Sequence, residues 1–367
     1  MAAPKTDRGA GKAIEQKAPV YTVPVRLTRL SGKGFSLTTR SLSKSLLCDT
    51  PGELLPGTQM EVSASGDTVV AKVTGETFRQ KKAVISGVLS CGGKNSVFYE
   101  GSLEITAKDG KLSWVCVTDL EKYTAGVLAC EASMSAPSEA LKAQALAIRT
   151  YGFSRASKAE LCDASHCQTF RGVTSDRRAL DAAAATKGQL LLYGGAPISA
   201  MYCADSGGIS ESGNADYLKT KRDPVKGLKH VSWNYVLPKA RLAETLGLSD
   251  ITGITAEECS ASGRMKKLLI TDSGANRSVR ISGEALRAKL GYANLKSTLF
   301  SAAVIEHDIV FSGKGYGHGV GLCQTGCCEL ARIGWRYDSI LAWYYDGAVI
   351  SDIASFKKSL KQGGQNR

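Results

Sequence analysis

Residues 120–151 read LEKYTAGVLACEASMSAPSEALKAQALAIRTY, and this stretch predicts two helices joined by a short link. In its first half, apolar residues recur at helical spacing; they are Tyr123, Val127, Cys130 and Met134. In its second half, Pro137 and Glu139 suit a first helical turn, because proline loses no hydrogen bond there and a carboxylate favours the positive end of the helix dipole. The segment is therefore predicted to form a helical pair.

The sequence on either side of this pair predicts a mixed α+β fold. Residues 21–116 contain about six short strand-like segments separated by turn signals, which indicates a β-rich N-terminal unit. From Thr118 onward the sequence mixes helices and strands, with a β-rich subregion at about 240–312. Residues 1–20 are predicted to be a flexible tail, and residues 351–367 a C-terminal tail.

The composition is that of a folded globular protein. The 367 residues are 43% apolar and 22% charged, which is enough for a sizeable core in two or three structural units. No apolar run approaches the roughly 18 residues of a membrane span, so no transmembrane segment is predicted. Collagen-like, coiled-coil and integral membrane proteins are excluded.

The formal net charge of +13 indicates an anionic partner. Nucleic acid, a membrane surface and an acidic polymer such as cell-wall material all meet that description. The sequence contains no nucleic-acid-binding motif, so no nucleic-acid partner is predicted.

Glu131 is the candidate general acid. It lies at the end of the first predicted helix between apolar neighbours, where desolvation favours a protonated carboxyl group. A general acid that works at neutral pH must hold its proton in this way. A surface glutamate at a helix end would show the same local pattern, so the pattern alone leaves both interpretations open.

Cys162, His166 and Cys167 place two thiols and one imidazole within six residues of a chain that has 11 cysteines. Thiolate and imidazole are ligands that zinc prefers, and three of them would leave a fourth position open. A disulfide between the two cysteines, or free thiols beside a structural histidine, fits the same spacing. The odd number of cysteines means that at least one is unpaired within the chain.

Two glycine-dense segments predict loops that let the backbone approach a ligand closely. The first is Ser206–Gly208, and the second runs from Gly313 to Gly321 and is predicted to present His318 at the head of a helix. The second fits neither the dinucleotide-binding nor the P-loop spacing. A neutral His318 could donate to a sugar hydroxyl; a capping or core histidine is the alternative. Cys323 could be a nucleophile with His318, but no orienting residue is evident.

Taken together and in order, these segments resemble the SpoIID/LytB family, stage II sporulation protein D. The family phrase L-x-x-Y-x-x-G-V-x-x-x-E matches residues 120–131, and E-A-L-K-A-Q-A-x-A-x-R-T-Y matches residues 139–151. Further matches are C-D-x-x-H-C-Q at 162–168, A-T-x-G at 185–188, S-G-G-x-x-E at 206–211 and G-W-G-H-G-V-G-M-S-Q at 315–324. The resemblance covers about residues 117–350 and gives no specific match to residues 21–116.

The resemblance implies a peptidoglycan lytic transglycosylase with a SpoIID-like mixed helix/sheet catalytic core. Members cleave between N-acetylmuramic acid and N-acetylglucosamine in glycan strands stripped of peptides, and they leave 1,6-anhydro-muramoyl ends. Glu131 aligns with the catalytic glutamate, which acts as acid and then as base without a second carboxylate and without a required cofactor. The residues expected to contact the glycan are Arg149, Ser206, Gly207, Gly208, Tyr316, Gly317, His318 and Gln324.

The sequence departs from the family in places that affect a metal site. Some members hold zinc near the catalytic glutamate with two histidines and two cysteines, whereas the candidate ligands here are Cys162, His166 and Cys167, with no histidine in residues 153–161. A water, or one of the remote cysteines 130 and 203, would have to complete the site. Elsewhere a tyrosine replaces the usual Trp at position 316, and a cysteine replaces the usual Ser at position 323.

Two other functions stay open. The family also implies a non-catalytic, glycan-binding enhancer of a cell-wall amidase, which would make an amidase the partner. A zinc- or cysteine-dependent hydrolase is the third hypothesis, in which Cys162, His166 or Cys323 would matter more than Glu131. A peptidoglycan substrate predicts the periplasm or cell envelope, whereas Met1–Pro24 shows no apolar signal segment and taken literally indicates the cytoplasm.

Overall fold

The computed structural model describes residues 21–30, 32, 34–47, 50–92, 96–156, 158, 161–225, 227–273 and 277–364. The predicted flexible tail, residues 1–20, lies outside the described residues. Within them the chain has the predicted mixed α+β fold.

The N-terminal region is a hairpin-rich sheet. Its described residues form the strands β1 (Thr22–Arg26), β2 (Gly34–Thr39), β3 (Ser43–Leu47), β4 (Thr50–Leu54), β5 (Gln59–Ser65), β6 (Thr68–Val73), β7 (Glu76–Gln80), β8 (Lys82–Cys91), β9 (Val97–Lys108) and β10 (Lys111–Asp119). The prediction of about six strands was too low, because tight turns such as Thr74-Gly75 carry a single glycine as their only signal.

The sheet continues beyond this region through a short strand, β11 (Leu161–Cys162). The strand order is β11-β1-β10-β9-β8-β2-β5-β6-β7, and β3 pairs with both β8 and β4. Strand β11 runs parallel to β1, with Arg26 opposite Cys162. The edge of the N-terminal sheet therefore carries the start of the segment that holds the candidate zinc ligands.

Two helices follow the sheet, α1 (Leu120–Glu131) and α2 (Ser138–Ala156). Asp119 caps α1, since its carboxylate accepts hydrogen bonds from the Glu121 N–H at 2.8 Å and the Lys122 N–H at 3.1 Å. Helix α2 is buried on almost every side, and its small residues let neighbours approach closely. At Gly152, for example, a Cβ atom would lie only 2.8 Å from the Tyr123 ring.

The remaining described elements alternate between helix and strand. They are α3 (Arg177–Ala185), β12 (Gln189–Tyr193), β13 (Ala196–Pro197), β14 (Tyr202–Cys203), β15 (Ser232–Pro238), α4 (Lys239–Leu246), β16 (Ile251–Cys259), β17 (Met265–Asp272), β18 (Arg277–Ser282), α5 (Gly283–Leu290), β19 (Phe300–Ile305), β20 (Asp308–Lys314), β21 (Leu322–Cys323), α6 (Gln324–Arg332), α7 (Tyr337–Tyr344), β22 (Val349–Asp352) and α8 (Ile353–Gly364).

Two hydrophobic cores organise these elements. The larger one joins the N-terminal sheet to the helices, with Trp114, Leu146 and Leu330 among its buried members. Residues 21–116 therefore share one core with the helical region instead of standing apart from it. The smaller core lies between the three-stranded sheets β15-β20-β19 and β16-β17-β18, and it runs from Trp233 to Phe311.

The C-terminal residues that the structure describes are ordered elements, which corrects the predicted tail at 351–367. Strand β22 pairs antiparallel with β12, and α8 follows it with Ile353 buried. No helix formed by the described residues is long and apolar enough to cross a membrane.

Candidate active site

A cleft of about 500 Å³ opens where the end of α1, the loop after β11, strand β14 and the glycine-rich loop before α6 meet. It brings together most of the residues singled out from the sequence. Those that line it are Glu131, His166, Cys167, Tyr316, Gly317, His318 and Gln324.

Glu131 is held in this cleft by three hydrogen bonds from three segments. Carboxylate Oε1 accepts from the Thr169 N–H at 2.5 Å, and Oε2 accepts from the Tyr202 hydroxyl. Its backbone carbonyl, one of those left without a partner at the end of α1, accepts from Nε2 of Gln324 at 3.0 Å. The last residue of the helix thus presents a half-buried carboxyl group of fixed orientation.

A buried polar relay sets the direction of the bond from Tyr202. The Tyr123 hydroxyl donates to Oε1 of Gln168 at 2.9 Å, so the Gln168 Nε2 faces the other way and donates to the Tyr202 oxygen at 3.2 Å. The Tyr202 hydroxyl hydrogen is then directed at Glu131. Burial, reinforced by the negative charge of Glu131, raises the pKa of Tyr202 well above its ordinary value, so Tyr202 stays a neutral donor.

The loop at 315–321 forms one wall of the cleft. Tyr316 is 43% exposed, so its ring is free to stack on a sugar. Gly317 has φ +105°, and a Cβ atom there would lie 3.1 Å from the Cβ of Cys203, so this position requires glycine. The Trp233 indole N–H anchors the loop by donating to the Gly315 carbonyl at 3.1 Å.

His318 lies in this loop, but helix α6 begins only at Gln324, which corrects its predicted place at the head of a helix. Its Nδ1 accepts from the Val320 N–H at 3.0 Å. Desolvation by the surrounding cleft lowers the pKa of His318, and a hydrogen bond with the Tyr202 backbone opposes this shift. The imidazole is therefore neutral at physiological pH, with its proton on Nε2.

The Ser206–Gly208 turn does not line the cleft, contrary to the prediction. Ser206 is fully buried; its N–H donates to Sγ of Cys323 at 3.2 Å, and its carbonyl accepts from Arg264 at 2.6 Å. The backbone of Gly315 packs directly against the turn. A Cβ atom added at Gly315 would collide with the backbone of the turn. The turn thus supports the glycine-rich loop from behind.

A second network that the sequence did not reveal lies beside this turn. Nδ1 of His230 is 2.7 Å from Oδ1 of Asp205, and its Nε2 is 3.0 Å from Oδ2 of Asp223. Burial raises the pKa of Asp223, and the neighbouring His230 opposes the rise. The network joins the turn at Asp205 to the segment that leads into β15.

Arg149 is also placed differently from the prediction. It is completely buried, and its guanidinium donates to the Glu121 carboxylate, at 2.6 Å from Nη2 to Oε2, and to the carbonyl of Ala183 at 2.8 Å. Arg149 therefore ties α2 to α1 and α3 and does not reach the substrate cleft.

Cys162, His166 and Cys167 do come together. Nδ1 of His166 is 3.7 Å from Sγ of Cys162 and 3.5 Å from Sγ of Cys167, and the three ligand atoms lie within 4.8 Å of one another. Both cysteines are free thiols, not a disulfide. Two soft thiols and one imidazole at this separation fit zinc. Within the described part of the chain, neither Cys130 nor Cys203 belongs to the group.

The N-terminal sheet anchors this loop. The buried carboxylate of Asp163 accepts from the Thr28 N–H at 2.9 Å, and the Asp163 N–H donates to the Arg26 carbonyl at 3.0 Å. Thr169, whose N–H holds Glu131, follows Cys167 by two residues. The candidate zinc ligands therefore lie on the same loop as a direct partner of Glu131.

The structure argues against Cys323 as a nucleophile. Its side chain is completely buried, and its Sγ accepts from the Ser206 N–H and from the Gly326 N–H at 3.3 Å. A hydrogen bond from Cys203 lowers the pKa of Cys323. A thiol enclosed in this way cannot reach a substrate in the cleft.

Sequence reasoning missed Thr169 and Tyr202, the two partners of the Glu131 carboxyl group. Tyr202 lies in the short strand β14 and carries no motif of its own, and Thr169 contributes only a backbone N–H. The one available signal was their position next to recognisable segments.

Comparison with known proteins matches the helical pair and its surroundings to a family. Residues 108–193 match the model for SpoIID, described as Stage II sporulation protein. The central part of the chain is therefore similar to the SpoIID family. Residues 214–321 match a second model, described as a domain of unknown function, DUF8618.

Curated relatives agree with the SpoIID match. The chain is 29% identical over 270 residues to stage II sporulation protein D of Bacillus subtilis, an alignment that covers 65% of this chain and 76% of that protein. It is 27% identical over 285 residues to an uncharacterized protein of Brachyspira hyodysenteriae, covering 73% and 76%. It is 27% identical over 281 residues to a Bacillus subtilis protein named Amidase enhancer, covering 62% of this chain and 40% of that protein.

Both matched regions contribute residues to the lining of the cleft. The SpoIID match contains Glu131, Thr169 and the candidate zinc ligands, whereas the second match contains Tyr316 and His318. Tyr202 lies between the two.

Proposed function

We propose that this protein is a peptidoglycan lytic transglycosylase that cleaves peptide-stripped glycan strands and leaves 1,6-anhydro-N-acetylmuramic acid ends. The match to the SpoIID model and the similarity to stage II sporulation protein D support a peptidoglycan-related role. The observation that carries the finer proposal is the Glu131 carboxyl group, which faces the cleft and is oriented by Thr169 and Tyr202.

In the first step, protonated Glu131 donates its proton to the glycosidic oxygen as the bond from C1 breaks. The sugar develops oxocarbenium-like charge and the leaving chain departs as an alcohol. The Glu131 carboxylate that forms accepts the hydrogen bonds from Thr169 N–H and the Tyr202 hydroxyl. Because donors bind a carboxylate more strongly than the neutral acid, they stabilise the transition state more than the ground state.

In the second step, the same carboxylate takes the proton from the C6 hydroxyl of the charged sugar, and the C6 oxygen bonds to C1. The ring closes to the 1,6-anhydro product and Glu131 regains its proton, so no water and no second carboxylate is needed. Among the described residues, Glu131 is the one acidic side chain that lines the cleft, which agrees with this chemistry.

We assign the candidate zinc ligands a structural part in this function. Bound zinc would be held by the sulfurs of Cys162 and Cys167 and by His166, and it would clamp the loop without taking part in bond cleavage. The clamp would fix Thr169 and thereby the Glu131 carboxyl group. A peptidoglycan substrate would place the protein in the periplasm or cell envelope.

A second function is supported by the likeness to the protein named Amidase enhancer. In that case the same cleft would bind denuded glycan without cleaving it, and a cell-wall amidase would be the partner. The exposed Tyr316 ring suits glycan binding in either function.

A glycan digest separates these functions. The wild type, Glu131→Gln and the control Glu104→Gln are incubated with peptide-free strands and with intact sacculi, and products are read by mass spectrometry. Glu104 is a matched control, since its side chain is 37% exposed on the N-terminal sheet in an ion pair with Lys82. We expect anhydro-muramoyl products from the wild type and from Glu104→Gln, chiefly from the denuded strands, and none from Glu131→Gln.

The other results would each contradict the proposal. Products that carry an added water would identify a hydrolase. No products, with strand binding retained, would favour the amidase-enhancer function.

A further inference from the structure

A second pocket adjoins the active-site cleft. It has a volume of about 220 Å³ and lies between the link after α1, the first turns of α2 and the start of α6. Ala204 and Gln324 line both the pocket and the cleft. Because Gln324 also donates to the Glu131 carbonyl, the pocket begins one side chain away from the catalytic residue.

One residue in the wall of the pocket carries an amide group that the fold does not use. Gln144 on α2 is only 3% exposed and lines the pocket, yet neither its Nε2 nor its Oε1 has a hydrogen-bond partner in the structure. Leaving such a donor and acceptor unpaired is costly, and native proteins rarely tolerate it without a reason. Gln168, by contrast, satisfies its amide with Tyr123 and Tyr202.

The rest of the lining is small and neutral. The methyl groups of Ala132, Ala136 and Ala140 form one wall, next to Leu141. Within the described chain, no residue that lines the pocket carries a charged side chain. Burial raises the pKa of Cys327, another lining residue, well above its ordinary value, so that thiol is neutral too. A charged ligand group, such as the lactyl carboxylate of muramic acid, would find no counter-ion here.

We propose that this pocket is a subsite for the 2-acetamido group of an N-acetylhexosamine next to the cleaved bond. After a change of its side-chain rotamer, the Gln144 Nε2–H would donate to the acetamido carbonyl, and Oε1 would accept from the acetamido N–H. The alanine wall would contact the methyl group. The inference rests on the proposed function for its substrate class, and it deepens that function by naming the group that is recognised.

The size of the pocket agrees with this occupant. Its volume corresponds to about seven water molecules at ~30 Å³ each, which admits the acetamido group while the sugar ring stays in the open cleft. A sugar with a hydroxyl at C2 would leave the Gln144 amide unpaired. The subsite would therefore select N-acetylated glycan over plain glucan.

Binding is measured with the Glu131→Gln protein, so that the test is independent of cleavage. The probes are the β-1,4 tetramer of N-acetylglucosamine and the neutral β-1,4 tetramer of glucose, followed by calorimetry. Adding Gln144→Met, which keeps the length of the side chain and removes the amide, is expected to weaken binding of the acetylated tetramer about tenfold. Binding of the glucose tetramer should not change, so the preference between the two probes falls about tenfold.

The melting temperature distinguishes a binding role of Gln144 from a structural one, because loss of a structural residue would lower it. Because the amide has no partner in the fold, Gln144→Met should leave the melting temperature unchanged or raise it. Gln189→Met is the matched control: this glutamine accepts from the Tyr337 hydroxyl at 3.2 Å away from the pocket, and its loss should not alter binding. Unchanged affinity in Gln144→Met, or a marked fall in its melting temperature, would overturn the proposal.

A second variant tests the same pocket from its rim. Ser133 is exposed and lines the pocket, so Ser133→Leu should fill the pocket without disturbing the core. It is expected to weaken binding of the acetylated tetramer by a similar factor. Binding as tight as without the substitution would contradict the proposed subsite. If no glycan were cleaved but both variants still weakened binding of the acetylated tetramer, the proposed cleavage would be wrong and the subsite would be supported. If glycan were cleaved but Gln144→Met had no effect on binding, the cleavage would be supported and the subsite would be wrong.

Discussion

The Tyr202 hydroxyl donates to Oε2 of Glu131, and the two residues lie 71 positions apart in the chain. The bond has a fixed direction because Gln168 donates to the same hydroxyl oxygen, and Tyr123 fixes Gln168. Glu131 is thus oriented by a buried relay that returns to α1 at Tyr123, about two turns before Glu131. Removing any member should alter catalysis more than it alters the fold.

Tyr202→Phe should slow release of anhydro-muramoyl products about 10- to 100-fold. The variant removes a hydrogen bond to the carboxylate that forms as the glycosidic bond breaks, and such a bond to a charged group is worth about 1.5–3 kcal/mol. Product release is followed by mass spectrometry. Tyr193→Phe, a tyrosine that is 38% exposed, is the control. A wild-type rate in Tyr202→Phe would show that the bond does not assist cleavage.

The purified protein should contain about one zinc per chain, and Cys167→Ser should lower that content severalfold. Metal analysis by mass spectrometry measures both values. Cys259→Ser is the matched control, since Cys259 is an exposed free thiol at the end of β16. Chelation should also reduce cleavage, because Thr169 lies on the same loop. Wild-type protein without stoichiometric zinc would end the metal assignment.

Arg149→Met should destabilise the protein by about 3 kcal/mol without a direct effect on substrate affinity. The change leaves the Glu121 carboxylate without its main partner at the junction of α1, α2 and α3. Urea unfolding gives the free energy. Arg177→Gln, which removes an exposed ion pair with Asp181, should change it little. If the folded Arg149→Met protein had lost affinity at unchanged stability, the earlier prediction of a substrate contact would be right.

Acidification should destabilise the wild type partly through His318. Desolvation lowers the pKa of His318 in the folded protein, so below the ordinary value of about 6.5 the unfolded chain binds more protons than the native state. Stability therefore falls as the pH drops through that range. His318→Gln should lose less melting temperature between pH 7.5 and pH 5 than the wild type. His307→Gln, in the turn between β19 and β20, is the control substitution.

Much of the local structure could be predicted because its signals are local. The helical spacing from Tyr123 to Cys130 lies in α1, which ends at Glu131 before Met134, and the Pro137 start signal directly precedes α2. The three candidate zinc ligands meet because they lie within six residues of one another, so little folding is needed to unite them.

Side-chain environments were predicted less well, because a motif does not specify which neighbours surround it. Arg149 sits in a recognisable family phrase, yet it is buried in an ion pair with Glu121. Ser206 belongs to a glycine-rich motif that supports the cleft loop instead of lining it. The N-terminal region gave no functional signal, although Thr28, in the turn after β1, holds the loop of the candidate zinc site through Asp163.

The sequence by itself determined the mixed α+β class, the helical pair, the resemblance to the SpoIID family, and Glu131 as the carboxyl group to test. Periodicity, capping and turn chemistry act over a few residues, and a linear pattern records them. Only the tertiary structure decided the partners of Glu131, the burial of Arg149 and the unpaired amide of Gln144. Those features arise where segments far apart in the chain are packed together, and burial then determines whether each polar group finds a partner.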